Sequence, residues 1–163
     1  MALLTQKILR SLVSYDQETG VFTWAKARRG AAAGDRAGSN SNGYVVIKLM
    51  WQKYQAHRLA WFYVYGEWPN GVLDHINGHK DDNRIVNLRR ATKVQNMMNS
   101  RRPARNRSGF KGVSFNKEKQ KFVAQIKAGP VRRHLGYFSE AAAAFEAYKS
   151  AAAELHGAFQ RSE

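Results

Sequence analysis

The sequence contains no cysteine, which excludes disulfide scaffolds, Cys-ligated zinc and thiol nucleophiles. Long apolar runs are missing too. The longest uninterrupted one spans 59–65, far short of the ~20 residues a membrane-spanning helix needs. The opening Met1-Ala-Leu-Leu-Thr-Gln-Lys-Ile8 lacks the basic, apolar and cleavage regions of a secretory signal. The expectation is therefore a soluble cytoplasmic protein with no membrane partner. Acidic residues are scarce as well: 12 Asp and Glu stand against 27 Lys and Arg, a formal charge of +15. The simplest counterpart of such an excess is a polyanion, with nucleic acid foremost. What is present is enough for a core. Hydrophobic residues make up 44% of the 163, with 4 Trp, 7 Tyr and 8 Phe, so global disorder is excluded. The length fits one ordinary domain or two small ones.

The positive charge is segregated. Positions 101–135 hold eleven basic residues and one acid, Glu118, whereas the stretch from Gly136 onward carries two basic and four acidic ones. A surface built only for solubility would intersperse the signs. A solvated charged face is the plain alternative; the segregation favours a surface that tracks phosphates.

Apolar residues at Ile8, Leu9, Leu12 and Val13 predict a short amphipathic helix over 5–14, with Thr5 as its cap. A turn over 15–20 and a strand over 21–24 follow. The Gly-, Ala-, Ser- and Asn-rich segment 25–43 reads as a loop, made basic by Arg28, Arg29 and Arg36. Segments 44–49 and 54–56 suggest a hairpin turning at 51–53. The aromatic stretch 57–65 predicts a helix stopped by Gly66. Residues 73–84 are an apolar entry into a polar loop. Spacing through Leu88, Ala91, Val94 and Met98 predicts a helix over 87–99. Positions 101–108 form a Pro-broken basic linker. Strands over 110–116, 121–127 and 132–138 come next, with turns at 117–119 and 129–130. Ser139 opens an Ala-rich helix over 140–156 that Gly157 ends. No internal repeat is present.

The chemistry-bearing stretch is 74–96. Asp74 and His75 are adjacent at an expected strand end, and Asn87 and Asn96 stand nine residues apart on the expected helix. Asp74 is an oxygen ligand suited to a hard cation such as Mg²⁺, and the Asn96 amide oxygen is a candidate second ligand. At a strand end, His75 can take a proton from water beside the same phosphate. On spacing alone the plain alternative stays open, since Asp-His pairs are common and loop carboxylates such as Asp81 and Asp82 are usually just solvated.

Ala56-His-Arg-Leu-Ala-Trp61, Asp74-His-Ile-Asn-Gly78, Asp82-Asn-Arg84, Asn87-Leu-Arg89 and Gln95-Asn96 together closely resemble the His-Asn-His (HNH) nucleases, in their phage homing-endonuclease subgroup. The match covers most of 40–100. It implies a ββα-metal (His-Me finger) fold with one divalent ion between hairpin and helix. His75 would be the general base, with Asn87 tying the loop and orienting it. Asp74 and Asn96 would hold the metal. Asn96 replaces the histidine that names the family's third position, which leaves Mg²⁺ or Mn²⁺ as the expected ion. Of the other polar groups, His57 is expected to pack or cap and His79 to face solvent or lie near phosphate. Arg84 is expected to contact phosphate, with an ion pair to Asp81 or Asp82 as its alternative.

In 121–127, Phe122, Ala124 and Ile126 alternate with Lys121, Val123, Gln125 and Lys127. Arg132 and His134 share one face of the next strand, and Arg133 and Leu135 the other. A sheet with a helix behind it and basic residues in front suits a major groove. Phe110-Lys-Gly-Val113, 121–127, His134-Leu-Gly-Tyr-Phe138 and 141–157 resemble the AP2/ERF DNA-binding domain, although Phe122 and His134 lie where that family usually carries tryptophans. The candidate DNA contacts are Lys111, Ser114, Lys121, Gln125, Lys127, Arg132 and His134.

The expected architecture is α+β: a nuclease domain over 1–100, a linker over 101–108, and an AP2-like domain of three antiparallel strands and one helix over 109–160. The expected activity is site-specific, Mg²⁺- or Mn²⁺-dependent hydrolysis of double-stranded DNA, nicking one strand as a monomer, in the host cytoplasm if the chain is phage-encoded. No obligate protein partner is evident. A non-catalytic DNA-binding regulator is the rival reading; an RNA-binding structural protein would explain the charge but neither set of spacings.

Overall fold

The Thr5 side chain accepts a hydrogen bond from the Ile8 amide and opens helix α1, Gln6–Leu12. The chain then straightens into β1, Val13–Tyr15, earlier than the apolar spacing predicts. Val13 and Tyr15 are both buried, and antiparallel pairing with β2, Phe22–Trp24, overrides the helical spacing at Val13 and Ser14. The computed structural model describes residues 3–99, 106–128 and 131–156. It divides into two compact units, Met1–Thr92 and Lys93–Glu163.

In the first unit, the segment read as a loop contains a short polar strand, β3, Ser39–Ser41. It forms the edge of a three-stranded sheet with β4, Tyr44–Leu49, and β5, Gln52–Gln55. The β4–β5 reversal uses only Met50 and Trp51, because Leu49 already pairs with Gln52. Helix α2, Ala56–Tyr65, follows at once and ends at Gly66, which takes the left-handed conformation that glycine adopts without strain. Leu9, Val13, Phe22, Ile47, Leu49, Leu59 and Phe62 form the common core beneath α1, α2 and the sheets.

The last pair of strands holds the candidate site. β6, Val72–His75, lies antiparallel to β7, Leu88–Ala91, after a 3₁₀ turn at Ile85–Asn87. This corrects the helix expected over 87–99. Leu88 and Ala91 fit a helical face, but Leu88 is buried opposite His75 and Arg89 lies opposite Asp74, so pairing with β6 decides the conformation. The helix is limited to α3, Lys93–Met98, which belongs to the second unit. Strand, strand and helix still follow in chain order over 72–98, consistent with a ββα-metal fold.

The second unit also contains β8, Val113–Asn116, β9, Lys121–Ala128, and β10, Val131–Phe138, in the order β10-β9-β8, and helix α4, Ala141–His156. Val113, Ala124 and Ile126 are buried with Ala144, Tyr148 and Ala152 of α4. Linker residues 101–105, the turn at 129–130 and the stop at 157 lie outside the described residues. Among the described residues no helix is long and apolar enough to cross a membrane.

Gly112 is the tightest point of this packing. It has φ +74°, and a β-carbon there would stand 2.1 Å from the Tyr148 ring and 2.9 Å from the Gln125 carbonyl oxygen. Gly112→Ala combines left-handed strain of about 1–2 kcal/mol with overpacking of about 1–3 kcal/mol. Calorimetry should show this unit melting several degrees lower; an unchanged melt would mean that α4 does not pack there.

Candidate active site

His75 is the last residue of β6, directly opposite Leu88, and Asp74 is directly opposite Arg89. Both Asp74 and His75 are buried. Asp74 Oδ2 accepts from Arg89 Nε at 2.9 Å and lies 2.8 Å from a terminal guanidinium nitrogen. The cross-strand register sets this ion pair, and it fixes the carboxylate at the strand end.

His75 meets a different set of neighbours. Its ring centroid lies 4.8 Å from that of His57, in the first turn of α2, and 6.1 Å from that of Tyr44, at the start of β4. Of the two roles expected for His57, the structure shows packing. His57 is buried, its Nδ1 has no hydrogen-bond partner among the described residues, and its ring lies 5.5 Å from Tyr44. Burial pushes the His57 imidazole down to about 3, with His75 and Arg58 adding to the shift. Burial also lowers His75; the Asn83 amide and the charges of Asp74, Asp82 and Asp81 oppose it. Both rings are neutral at neutral pH, the form a proton acceptor requires. Lys80 brings its ammonium to 4.7 Å from the Tyr44 ring, placing positive charge beside this cluster.

The loop over 76–84 is held from within. The Asn87 amide nitrogen donates to the Asp82 carbonyl at 2.8 Å and to Asn77 Oδ1 at 3.1 Å, and its oxygen accepts from the Asn77 amide at 3.0 Å. Arg84 is drawn onto Asp82 through two short bonds, 2.8 and 2.6 Å. This holds the Asp82 carboxyl at about 2. The arginine expected at phosphate thus forms the ion pair that was its alternative. From the other side, Tyr15 donates to the Asn83 carbonyl at 2.7 Å, and the Asp16–Gly20 turn comes so close that a β-carbon on Gly20 would lie 2.5 Å from the Arg84 amide nitrogen. His79 is exposed.

Asp74 suits a divalent ion in charge and hardness, and a carboxylate offers about four lone-pair sites, so it can hold a guanidinium and a cation together. Among the described residues no three His, Asp or Glu side chains gather as a metal cluster. Asn96 is exposed on α3.

In the second unit the register collects six of the seven candidate DNA contacts. Gln125 pairs with His134, Lys127 with Arg132, Ser114 with Val123, and Lys121 with Asn116. Residues directly opposite each other share a face, so Ser114, Lys121, Gln125, Lys127, Arg132 and His134 lie on the side away from Val113, Ala124 and Ile126, which pack on α4. Arg133 falls on the helix side, 3.9 Å from Glu154 of α4. A bulge between His134 and Gly136 resets the alternation, returning Tyr137 opposite Val123. Lys119 then lies 4.2 Å from the Tyr137 ring. Lys111 is not part of that face; its ammonium donates to the Met98 carbonyl at 2.7 Å.

Arg89, Asn83, Tyr44 and Lys80 were not among the expected site residues. Arg89 stands inside the Asn-Leu-Arg text, but only the strand register reveals its partner. The profile of a family described as HNH endonuclease matches residues 54–98. The chain is also 32% identical over 82 residues to Protein 3.8 of Escherichia phage T7, an alignment covering 50% of this chain and 68% of that protein. No solved structure matches it significantly.

Proposed function

The chain carries an HNH endonuclease domain over residues 54–98 and belongs to the same family as Protein 3.8 of phage T7, and from that premise we propose that it is a divalent-metal-dependent DNA endonuclease of the homing type, which nicks one strand as a monomer. The observation that carries this reading is His75: a buried imidazole, neutral at neutral pH, at a strand end beside a carboxylate fixed by Arg89. His75 accepts a proton from the attacking water, and His57 and Tyr44 limit how its ring can turn. Asn87 keeps the following loop closed against this end of β6. Asp74 is the proposed metal ligand of the first unit, and Asn96 is the second ligand on the strength of the sequence motif. A Mg²⁺ or Mn²⁺ ion held by them would offset charge on the phosphate and the leaving oxygen.

The second functional part, 109–160, is proposed as an AP2/ERF-like DNA reader joined by 101–108 to the nuclease part, 1–100. The exposed face bearing Lys121, Gln125, Lys127, Arg132 and His134 supports that role, since duplex affinity comes largely from phosphate contacts and sequence choice from groups that reach base edges. The likeness to a phage protein favours action in the host cytoplasm.

Relaxation of supercoiled plasmid in Mg²⁺ against EDTA tests the activity. Nicked circles should appear first; linear product without a nicked intermediate would mean paired sites in a dimer, and no Mg²⁺-dependent product would leave a non-catalytic DNA binder. The reader has its own test by gel shift. If about six basic groups contact phosphate, log K should fall with log salt at a slope of roughly −5. Lys121→Ala should weaken all duplexes and reduce that slope by roughly 1, whereas Gln125→Ala should relax sequence choice by roughly 1–3 kcal/mol. Binding that ignores salt would contradict the assignment.

A further inference from the structure

The β4–β5 hairpin ends in a feature that the cleavage chemistry does not use. Its two-residue turn is Met50-Trp51, with φ of 47° and 68°. A turn of this kind needs positive φ at both positions, which Asn-Gly supplies with little strain and bulky side chains do not. Trp51 nevertheless occupies the second position and is 89% exposed. One position beyond the Leu49–Gln52 pair that closes the turn, Lys48 pairs with Lys53 across the strands. Like charges in that register repel each other, and both side chains are exposed. The Lys48 ammonium lies 5.2 Å from the indole centroid. No Asp or Glu occurs anywhere between Asp35 and Glu67, so the sequence supplies no acid nearby to offset the two lysines.

Three locally unfavourable choices thus coincide at one tip: a bulky residue in a left-handed turn, a solvated indole, and two opposed ammonium groups. Strain of this kind persists where function requires it. One ligand accounts for all three. Duplex DNA presents stacked bases flanked by two rows of phosphates. Wedge side chains enter at a base step and partly unstack it, while lysines on either side can meet the backbones. A protein partner would explain the indole without the opposed lysines.

We propose that the hairpin tip is a second DNA contact, at which Trp51 inserts against a base step while Lys48 and Lys53 grip the flanking phosphates. The proposal rests on the reading of the chain as a DNA nuclease only for its choice of DNA as the polyanion. It adds a point of DNA deformation at residues that the cleavage chemistry does not use.

The test uses the full-length chain in EDTA, so that binding is read without cutting. Met50→Asn/Trp51→Gly gives the turn its preferred residues, which offsets the packing lost where the half-buried Met50 rests on the core; it should melt close to the wild-type temperature, which separates lost binding from lost folding. Random-sequence 30-base-pair duplex should bind this variant roughly tenfold more weakly, whereas Trp51→Phe retains most of the affinity, because stacking needs only an aromatic face. Supercoiled plasmid relaxed by a metal-independent topoisomerase in the presence of wild-type protein should keep residual supercoils after deproteinisation, and with the double variant it should not. Equal affinity and equal unwinding by the double variant would overturn the proposal. Wild-type DNA affinity together with loss of binding to anionic vesicles would also overturn it, in favour of a membrane contact. Plasmid cutting in Mg²⁺ is scored separately: an inert wild type whose binding still depends on Trp51 defeats the nuclease reading alone, and an active wild type with Trp51-independent binding defeats the wedge alone.

Discussion

His75→Ala should lower the single-turnover rate of DNA cleavage by roughly 10²–10⁴, the usual contribution of a positioned general base, while leaving affinity for uncut duplex in EDTA unchanged. The side chain is buried, so His75→Gln, which keeps much of the volume and some hydrogen bonding, is the control against simple collapse. It should be as slow as the alanine variant. The direction of titration gives a second readout. Burial lowers His75 from its ordinary value near 6.5, and only the neutral ring can accept a proton. Cleavage should therefore rise with pH to a plateau whose acidic limb lies below 6.5, and the limb should vanish in the variant. Stability has the same sign. His57 and His75 both have depressed folded values, so they bind protons more readily in the unfolded chain. Their contribution is fully present above about 6.5 and declines as the pH falls below it. For His57 this loss continues down to about 3. Thermal melts from pH 7 to 4 would show it, and a flat profile would contradict the buried histidine pair.

Asp74→Asn should be the other large effect. The carboxylate accepts Arg89 on Oδ2 and is the proposed metal ligand, so its loss removes charge from both. Either neutral residue breaks the ion pair, at a cost of up to about 3–5 kcal/mol for a buried one, but alanine also removes the acceptor and the volume, and a folding defect would imitate a catalytic one. Asparagine keeps the shape and one oxygen. The apparent affinity for Mg²⁺ should fall by more than the roughly 10–100-fold that removing a mere supporting partner of a metal ligand costs. A titration of cleavage rate against Mg²⁺ reads this directly. Saturation at the wild-type concentration would mean that Asp74 serves Arg89 alone.

The elements that sequence reasoning located carry strong local signals. α1 has a Thr cap and an apolar stripe, α2 has a dense aromatic run stopped by Gly66, and β9 has strict alternation. β3 has no strand signal in its sequence, since Ser39-Asn-Ser41 has no apolar face; it is held by backbone pairing to β4. β7 carries a helical signal because Leu88 and Ala91, three apart, share a helical face and would fall on opposite faces of a strand; only pairing with β6 settles the choice. The same tertiary pairing explains the site. Asp74, His75 and Asn87 were legible from their types and order. Arg89 is visible as text but not as the partner of Asp74, and the closeness of His57 to His75 is hidden because the two stand 18 positions apart in the chain.

The most direct test of His75 as the proton acceptor is chemical rescue. In single-turnover plasmid nicking with saturating Mg²⁺, free imidazole should restore part of the lost rate to a cavity-bearing His75→Gly variant, with a pH dependence that follows the added base, and should do nothing for wild type or for Asp74→Asn. A His75→Gly enzyme that nicks at the wild-type rate without imidazole would contradict the account.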